Sequence, residues 1–285
     1  MRRLSVVMPA HNEAAVIDRS LRTLLADAVP GEFDVVVVCN GCSDDTASIA
    51  RAAAPQAHVI ELDAASKSAA LNVGDAAATA YPRFYLDADI CVTAADLRTL
   101  ADALDGGDRL AIAATVAHRW RQSRSWPVRS YYRLWSGLPA GSAGIFGTGV
   151  IGLTAAGRGR FDQWPDVVAD DYYCDSLFTP AEKMRHPDVH VQLDVPGRLP
   201  ALVRRKARVR NGNLQIRGEF APTAKAAPPS SLRDVVRRRP GLILDVPAFL
   251  LVTLAARALA ARDRRSGRQA QWRRDDSRLA PKPPR

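Results

Sequence analysis

The stretch RFYLDADICV, residues 83–92, begins as a buried strand and ends in two closely spaced carboxylates. Three apolar residues, 84–86, are followed at once by Asp87 and Asp89, with one alanine between them. Two like charges at the end of an apolar run repel each other unless a cation compensates them. Oxygen ligands of this kind suit Mg²⁺ or Mn²⁺. The pair could therefore hold a metal ion, but a helix cap or a solvated turn is the commoner explanation of this spacing taken alone.

Short apolar runs alternate with helical patterns over the first 116 residues. This alternation predicts an α/β fold, a single Rossmann-like domain with a mostly parallel central sheet. In open sheets of this type, ligands bind beyond the carboxyl ends of the strands. Three polar segments follow predicted strands, namely PAHNE (9–13), NGCSDD (40–45) and DAD (87–89). We expect these segments to converge on one edge of the sheet.

The charge of the chain is divided unevenly. Residues 202–285 contain 21 Lys and Arg against 6 Asp and Glu, whereas residues 1–201 contain 19 against 24. A mildly acidic body with a basic last third indicates a surface that meets an anionic partner, such as phosphate groups, nucleic acid or an acidic membrane leaflet. The hydrophobic content of 47% is ample for one large domain with an appendage.

The cysteine spacing and the apolar segments bear on the cellular compartment of the protein. Cys39 and Cys42 form one CxxC pair without a second pair or paired histidines, which favours structural cysteines in a reduced, cytoplasmic setting. The N-terminal apolar run is broken by Pro9, so we interpret it as a first strand rather than a signal peptide. No run of about 18 uninterrupted apolar residues occurs, and we therefore expect no ordinary transmembrane helix.

Four segments, taken in order, carry a resemblance to a known family: SVVMPAHNEAAVIDRSLRTLL, VVVVCNGCSDDTASIA, KSAALNVG and RFYLDADICV. Together they resemble the family-2 inverting glycosyltransferases, which have the A-type nucleotide-sugar fold. The resemblance covers about residues 1–220 and is strongest in 1–92. It implies transfer of a sugar, with inversion, from a nucleoside diphosphate sugar to an acceptor hydroxyl on a small molecule or a lipid-linked compound. It also implies dependence on Mg²⁺ or Mn²⁺.

The resemblance assigns the donor site residue by residue. The family's P-x-x-N-E signature and its second-strand signature imply a nucleoside pocket formed by Pro9, Ala10, Glu13, Asn40 and Asp44. The acidic residue that the family usually has at position 39 or 40 is absent here. Lys67 would steady phosphate or base, Asp87 would bond ribose or the metal, and Asp89 would ligate the metal. For Asp44 and Lys67 the alternatives are a helix cap and a solvated lysine.

An acidic pair in VVADDYYCDSLF (167–178) matches the place where the family carries its catalytic base. The resemblance assigns that role to Asp171, with Asp170 as its supporting neighbour and Asp175 as a less favoured substitute. A carboxylate there would remove the proton of the acceptor hydroxyl. An acidic start to a helix is the alternative.

Basic and glycine-rich segments complete the resemblance. Arg205 and Arg208 reproduce an R-x-x-R spacing whose arginines contact the diphosphate in the family, although a solvated basic loop is the alternative. On the acceptor side, four glycines would let the backbone approach a ligand or would simply form a flexible loop; they are Gly141, Gly144, Gly147 and Gly149.

We predict a transferase domain at 1–220, divided into a nucleotide-binding half (1–116) and an acceptor half (117–220). A linker at 221–236, an apolar helix at 237–265 and a disordered basic tail at 266–285 follow. The helix either lies on an anionic membrane surface or packs on the core, so the protein is expected in the cytoplasm or peripherally at the inner membrane face. We expect no nucleic acid partner, but a non-catalytic basic protein that binds nucleic acid or membrane remains the alternative function.

Overall fold

The computed structural model describes residues 3–105, 107–138, 144–220 and 232–266. Its strands are β1 (Leu4–Ala10), β2 (Phe33–Asn40), β3 (His58–Leu62), β4 (Arg83–Leu86), β5 (Ala111–His118), β6 (Val150–Leu153) and β7 (Lys183–Leu193). Its helices are α1 (Ile17–Leu25), α2 (Thr46–Ala53), α3 (Lys67–Ala77), α4 (Ala94–Asp105), α5 (Trp126–Trp135), α6 (Ala155–Arg158), α7 (Asp170–Ser176), α8 (Leu199–Glu219), α9 (Leu232–Arg238) and α10 (Val246–Arg265).

The strands form one sheet of seven in the order β3-β2-β1-β4-β6-β5-β7. Within the described ranges β6 alone is antiparallel to its neighbours, and the other six strands run in one direction. The predicted α/β fold with a mostly parallel sheet is therefore confirmed. The carboxyl ends of β1, β2, β4, β5 and β7 share one edge, and the loop that enters β6 reaches the same edge.

Apolar residues on both faces of the central strands hold three layers together. In β2, Val35 and Val37 pack with helices α1, α2 and α4, whereas Val36 and Val38 pack with α3 on the opposite face. All four valines are at most 3% exposed. Fully burying such a side chain contributes about 1.5–3 kcal/mol, which explains why the continuous apolar run becomes a central strand.

Helices α5, α8 and α10 form a further apolar cluster beside the sheet. Tyr131 of α5, Leu202 of α8 and Val252 of α10 are all buried in it. The buried stripe of α10 repeats every four residues, through Ala248, Val252, Ala256 and Ala260. This helix therefore belongs to the body of the protein, which favours the core-packing interpretation for its inner face.

The outer face of the C-terminal helices remains apolar and exposed. Ile243, Leu244, Leu250, Leu251 and Leu254 are 45–77% exposed. By length and composition alone the helical segment Pro240–Arg265 could cross a membrane, although 28% of its most apolar window is buried within the protein. The expectation of no ordinary transmembrane helix stays a prediction, because this match concerns length and composition alone.

One alternative interpretation and one boundary prediction need correction. The basic segment 202–217 is part of helix α8, so Arg205 and Arg208 lie on a helix and not on a loop. Residues 232–236, predicted as linker, belong to α9. The remainder of that linker (221–231), Gly141, and all but the first residue of the predicted tail (267–285) lie outside the described residues.

Candidate active site

A cavity of about 940 Å³ opens at the carboxyl edge of the sheet, and we call it the central cavity. It lies where parallel strands place ligands in open sheets. Nine of the site residues predicted from the sequence line it, namely Pro9, Glu13, Lys67, Asp87, Asp89, Asp170, Asp171, Arg205 and Arg208. Residues far apart in the chain thus meet around one space, while Ala10, Asn40 and Asp44 do not line it.

Asn40 and Asp44 take part in joining the loops that follow β1 and β2. Asn40 is fully buried, and its carbonyl oxygen lies 2.6 Å from His11 Nδ1. Asp44 accepts hydrogen bonds from the backbone N–H groups of Thr46 at 3.1 Å and of Ala14 at 3.2 Å. Asp44 therefore stands next to Asp45, the N-cap residue of α2, and its assignment to the nucleoside pocket stays a prediction. A buried Asn40 side chain does not reach a base in the central cavity.

His11 is a lining residue that the sequence interpretation missed. It lies inside the PAHNE segment, between two residues that were assigned to the nucleoside pocket. The signal that could have found it is position alone, because residues 9–13 were already expected at the sheet edge.

One lysine connects the two acidic pairs. Lys67 begins helix α3, whose N-cap Ser66 accepts a hydrogen bond from the N–H of Ala69 at 3.2 Å. Its ammonium lies 3.0 Å from Asp87 Oδ1 and 2.9 Å from Asp170 Oδ2. Burial opposes the charge, but the two carboxylates outweigh burial and raise the pKa of Lys67. Lys67 is thus a charged bridge inside the cavity and not a solvated surface lysine.

Asp171 is held in a fixed orientation by the backbone. Its Oδ2 accepts the N–H of Gly147 at 2.6 Å, and its Oδ1 accepts the N–H of Tyr172 at 2.7 Å. Burial and the neighbouring charge of Asp170 raise the pKa of Asp171 to about 6, against the opposing effects of Lys67 and Gly147. A carboxylate with a pKa near neutrality is suited to accept a proton from a bound hydroxyl.

Two glycines with positive φ shape the loop that reaches Asp87 and Asp171. Gly147 has φ +68° and Gly149 has φ +73°, in the left-handed region that other residues avoid. The carbonyl of Gly149 accepts the N–H of Asp87 at 2.9 Å. A Cβ on Gly149 would lie 2.6 Å from Ile90 Cγ1. This loop therefore depends on glycine for both its backbone angles and its close approach.

Arg185 supports the same loop from strand β7 and was not predicted. Its guanidinium donates to the carbonyl of Gly144 and, at 2.7 Å, to the carbonyl of Phe146, and it also lines the cavity. Asp175 has a different environment from the one its substitute role requires. It is 8% exposed, accepts the N–H of Ile145 at 2.8 Å and pairs with Lys183 at 2.8 Å, away from the cavity lining.

Asp87 and Asp89 suit a divalent cation that arrives with a substrate. Across the described ranges no three His, Cys, Asp or Glu side chains converge into a complete metal-binding group. Mg²⁺ and Mn²⁺ sites commonly use one or two carboxylates and complete their coordination with water and substrate phosphates. Two carboxylates facing a large cavity therefore match this incomplete type of site.

Comparisons with known proteins place the chain in a family. A profile described as glycosyl transferase family 2 matches residues 5–160. A curated relative, the glycosyltransferase AglD of Haloferax volcanii, is 30% identical over 129 residues, or 42% of this chain. The chain spans about a fifth of the length of that relative, since the match covers 20% of it.

Solved structures share the fold. The mannosyltransferase PcManGT from Pyrobaculum calidifontis, solved with GDP-Man and Mn²⁺, has a TM-score of 0.60 and 22% identity, and the match covers 94% of this chain and 80% of that one. Glucosyl-3-phosphoglycerate synthase from Mycobacterium tuberculosis, solved with Mn²⁺, UDP-Glc and phosphoglyceric acid, has a TM-score of 0.55 and 20% identity, over 80% and 88% of the two chains.

The profile covers more than half of the chain and includes the segments that end in Glu13, Asp44 and Asp89. The resemblance inferred from the sequence is confirmed, and with it the expectation of a glycosyltransferase at the level of the family. The chain belongs to glycosyl transferase family 2.

Proposed function

We propose that this chain transfers a sugar from a nucleoside diphosphate sugar to an acceptor hydroxyl, with inversion at the anomeric carbon. The observation that carries the proposal is the meeting of Asp87, Asp89, Asp170 and Asp171 around one cavity, with Lys67 between the pairs. The relatives described above, whose structures contain GDP-Man or UDP-Glc, support a donor of this class.

Asp171 is the proposed general base. In the reaction, the acceptor oxygen forms a bond to the anomeric carbon while the bond from that carbon to the diphosphate oxygen breaks. Asp171 takes the hydroxyl proton, and attack from the side opposite the leaving group inverts the configuration. The hydrogen bonds from Gly147 and Tyr172 orient the carboxylate for this step. Asp170, the neighbour of Asp171, is held by its ion pair with Lys67.

Asp87 and Asp89 are the residues that would hold Mg²⁺ or Mn²⁺. When bound, the cation would neutralise charge that develops on the leaving diphosphate. Pro9 and Glu13 would contact the nucleoside, because they line the cavity beside the end of β1. Arg205 and Arg208 line the same cavity from α8 and would contact phosphate oxygens. Their place in the cavity also argues against the alternative of a separate basic binding surface.

Screening nucleotide sugars for hydrolysis tests this function without knowledge of the acceptor. The purified chain is incubated with UDP-, GDP-, ADP- and TDP-sugars with Mn²⁺, with Mg²⁺ or with EDTA, and release of the nucleoside diphosphate is measured. We expect metal-dependent release from one donor class. Absence of both donor binding and hydrolysis across the panel would contradict the proposal.

We further propose that the outer face of α10 rests on an anionic membrane surface, which suits a lipid-linked acceptor. The exposed residues Leu250, Leu251 and Leu254 lie on one side of this helix, opposite its buried stripe. Exposed arginines flank the apolar face at both ends, at 237–239 and at 262, 264 and 265. Apolar residues between basic clusters are typical of helices that lie in the interface of an acidic leaflet.

A further inference from the structure

The central cavity has two ends of opposite charge. The acidic end lies beyond β1 and β4 and contains Asp87 and Asp89. The basic end lies beyond β5 and β7 and contains four cationic residues, Arg119, Arg205, Lys206 and Arg208. In the sheet order β6 lies between β4 and β5. At about 4.8 Å per strand, β5 and β7 are about 10 and 14 Å from β4. Arg119, which follows β5, is therefore displaced from the strand that Asp87 follows by about two strand spacings, or about 10 Å.

Lys206 occupies an aromatic box at the basic end. Its ammonium lies 4.2 Å from the ring centroid of Trp135, 5.1 Å from that of Tyr131 and 5.6 Å from that of Tyr132. Such contacts stabilise a cation but do not neutralise it. In the part of the chain that the structure describes, no carboxylate lies within ion-pair distance of Lys206. Burial, and then the charge of Arg205, lower the pKa of Lys206 to about 7.

The same cations also affect the pKa of a neighbouring histidine, His118. His118 ends β5, and its ring lies 4.9 Å from that of Tyr132. Burial and the charges of Lys206, Arg205 and Arg185 lower the pKa of His118 to about 3. The acidic residue that lines this end, Asp194, lies 3.5 Å from Arg119. An added anion would therefore relieve repulsion among the cations that surround His118.

We propose that the basic end of the central cavity binds a phosphate group of the acceptor, with Lys206 and Arg119 as its principal contacts. This inference rests on the proposed glycosyl transfer, because it identifies the acceptor as a phosphorylated compound. The donor diphosphate is assigned to the cation that Asp87 and Asp89 would hold and to Arg205 and Arg208, whereas Lys206 and Arg119 have no part in donor binding. Because no carboxylate of the described residues lies within ion-pair distance of Lys206, we expect this cation to bind a second anion, separate from the donor diphosphate. The phosphate could belong to a soluble phosphomonoester or to a lipid headgroup.

Methyl phosphate is the probe for this subsite. The full chain is titrated calorimetrically with methyl phosphate in EDTA-containing buffer at pH 6.5, where the acidic end lacks its cation and repels anions. We expect binding by the wild type and at least a tenfold weaker affinity for Lys206→Met, which keeps the aliphatic stem in the box but removes the charge. The matched control is Arg204→Met, because Arg204 is exposed on the same helix and does not line the cavity.

A second measurement on the wild type does not depend on a folded variant. Lys206 acylation by an amine-selective reagent is followed by mass spectrometry, and we expect methyl phosphate to slow it at least threefold. Failure of both methyl phosphate and phosphatidic acid vesicles to bind the wild type, or equal affinities for Lys206→Met and Arg204→Met with no protection of Lys206, would overturn the inference.

Two further measurements distinguish a lipid from a soluble source of the phosphate, and failure of the phosphate subsite from failure of the proposed function. Protection of Lys206 by vesicles with phosphatidic acid but not by methyl phosphate would identify a lipid headgroup; protection by methyl phosphate alone would identify a soluble ligand. Nucleoside diphosphates with Mn²⁺ are titrated in parallel. If nucleotides bind and neither phosphate compound does, the subsite is wrong and the proposed function stands. If phosphate binds at Lys206 and no nucleotide binds, the proposed donor chemistry fails instead.

Discussion

Lys67 Nζ lies 2.9 Å from Asp170 Oδ2, and the same ammonium reaches Asp87. One cation thereby joins the acidic pair after β4 to the acidic pair that opens α7. Because a buried charge is costly without a partner, this contact fixes the relative position of the proposed metal site and the proposed base before any substrate binds.

Replacement of Lys67 by Met should shift the acid limb of the pH–rate profile to higher pH. Lys67 holds down the pKa of Asp171, and its removal leaves Asp170 and Asp171 without that cation. We expect the apparent pKa for kcat/KM of donor hydrolysis to rise by about one unit. Lys67→Arg is the control that keeps the charge, and it should restore most of the original profile. An unchanged apparent pKa of the acid limb in Lys67→Met would show that the Lys67 bridge does not affect the pKa of Asp171.

Replacement of Asp171 by Asn should abolish turnover and spare nucleotide binding. The amide cannot take the hydroxyl proton, and general bases of this kind contribute about 10²–10⁴-fold. Rates are measured with the donor found in the hydrolysis screen, and affinity for the nucleoside diphosphate with Mn²⁺ is measured by calorimetry. Asp162→Asn is the control, since Asp162 is exposed and outside the cavity lining. Comparable rates for the two variants would exclude Asp171 as the base.

Wild-type activity and the contribution of Asp171 to stability should change in opposite directions between pH 4 and pH 6. Asp171 must lose its proton to act, so with its pKa at about 6 the rate should fall as pH drops below that value. For stability, a folded-state pKa raised from 3.8 to about 6 means that the folded state binds more protons in this window. This group therefore lowers the free energy of unfolding as pH rises through the window. Urea unfolding of wild type and Asp171→Asn at several pH values isolates this contribution.

Replacement of Asp89 by Ala should remove the metal dependence of donor binding. Asp89 lines the cavity beside Asp87 and is the proposed metal ligand. We expect the affinity for the nucleoside diphosphate in Mn²⁺ to fall to the value measured in EDTA. Asp188→Ala, at an exposed position outside the cavity lining, is the control. Equal Mn²⁺ enhancement in both variants would count against the assignment.

Replacement of Gly149 by Ala should destabilise the protein more than replacement of Gly31. Both glycines have positive φ, +73° and +79°, but an added Cβ meets Ile90 at 2.6 Å only at Gly149 and nothing within 4 Å at Gly31. The left-handed angle alone costs about 1–2 kcal/mol, and overpacking adds about 1–3 kcal/mol. The difference between the two variants in urea unfolding measures the overpacking. No difference would mean that Ile90 moves aside freely.

Polar replacement of exposed leucines in the segment Pro240–Arg265 should weaken membrane binding without unfolding the chain. The triple variant Leu244→Ser, Leu251→Ser, Leu254→Ser changes residues that are 57–77% exposed. Flotation with phosphatidylglycerol vesicles measures binding, and we expect most of it to be lost. The control is Trp126→Ser, since Trp126 is 57% exposed on a different helix. Equal flotation of both variants would remove the proposed membrane contact.

Local patterns predicted the first half of the fold and the acidic residues of the site. The runs at β1, β2 and β4 are continuous and apolar, and polar segments follow each of them. Parallel pairing then brings their ends together, so Glu13 and Asp89 could be expected at one edge.

Features that depend on tertiary packing could not be predicted in the same way. No helix was predicted for the basic run of α8, whose apolar residues are few, because packing against α5 and α10 holds it helical. Arg185 is an arginine within a strand, and only the loop that it supports reveals its role. Asn40 resembled a ligand contact by position, but burial takes its side chain out of reach.

Tyr131 contacts both α10 and Lys206, and this has a consequence for truncating the chain before α10. Its ring stacks on Phe249 of α10 at 5.1 Å, and on another side it lies 5.1 Å from the Lys206 ammonium. A truncation before α10 would remove Phe249 from its contact with Tyr131, and would thereby disturb the aromatic box around Lys206. Polar replacement of the exposed leucines of α10 would change the outer surface of the helix and leave the contact between Tyr131 and Phe249 in place.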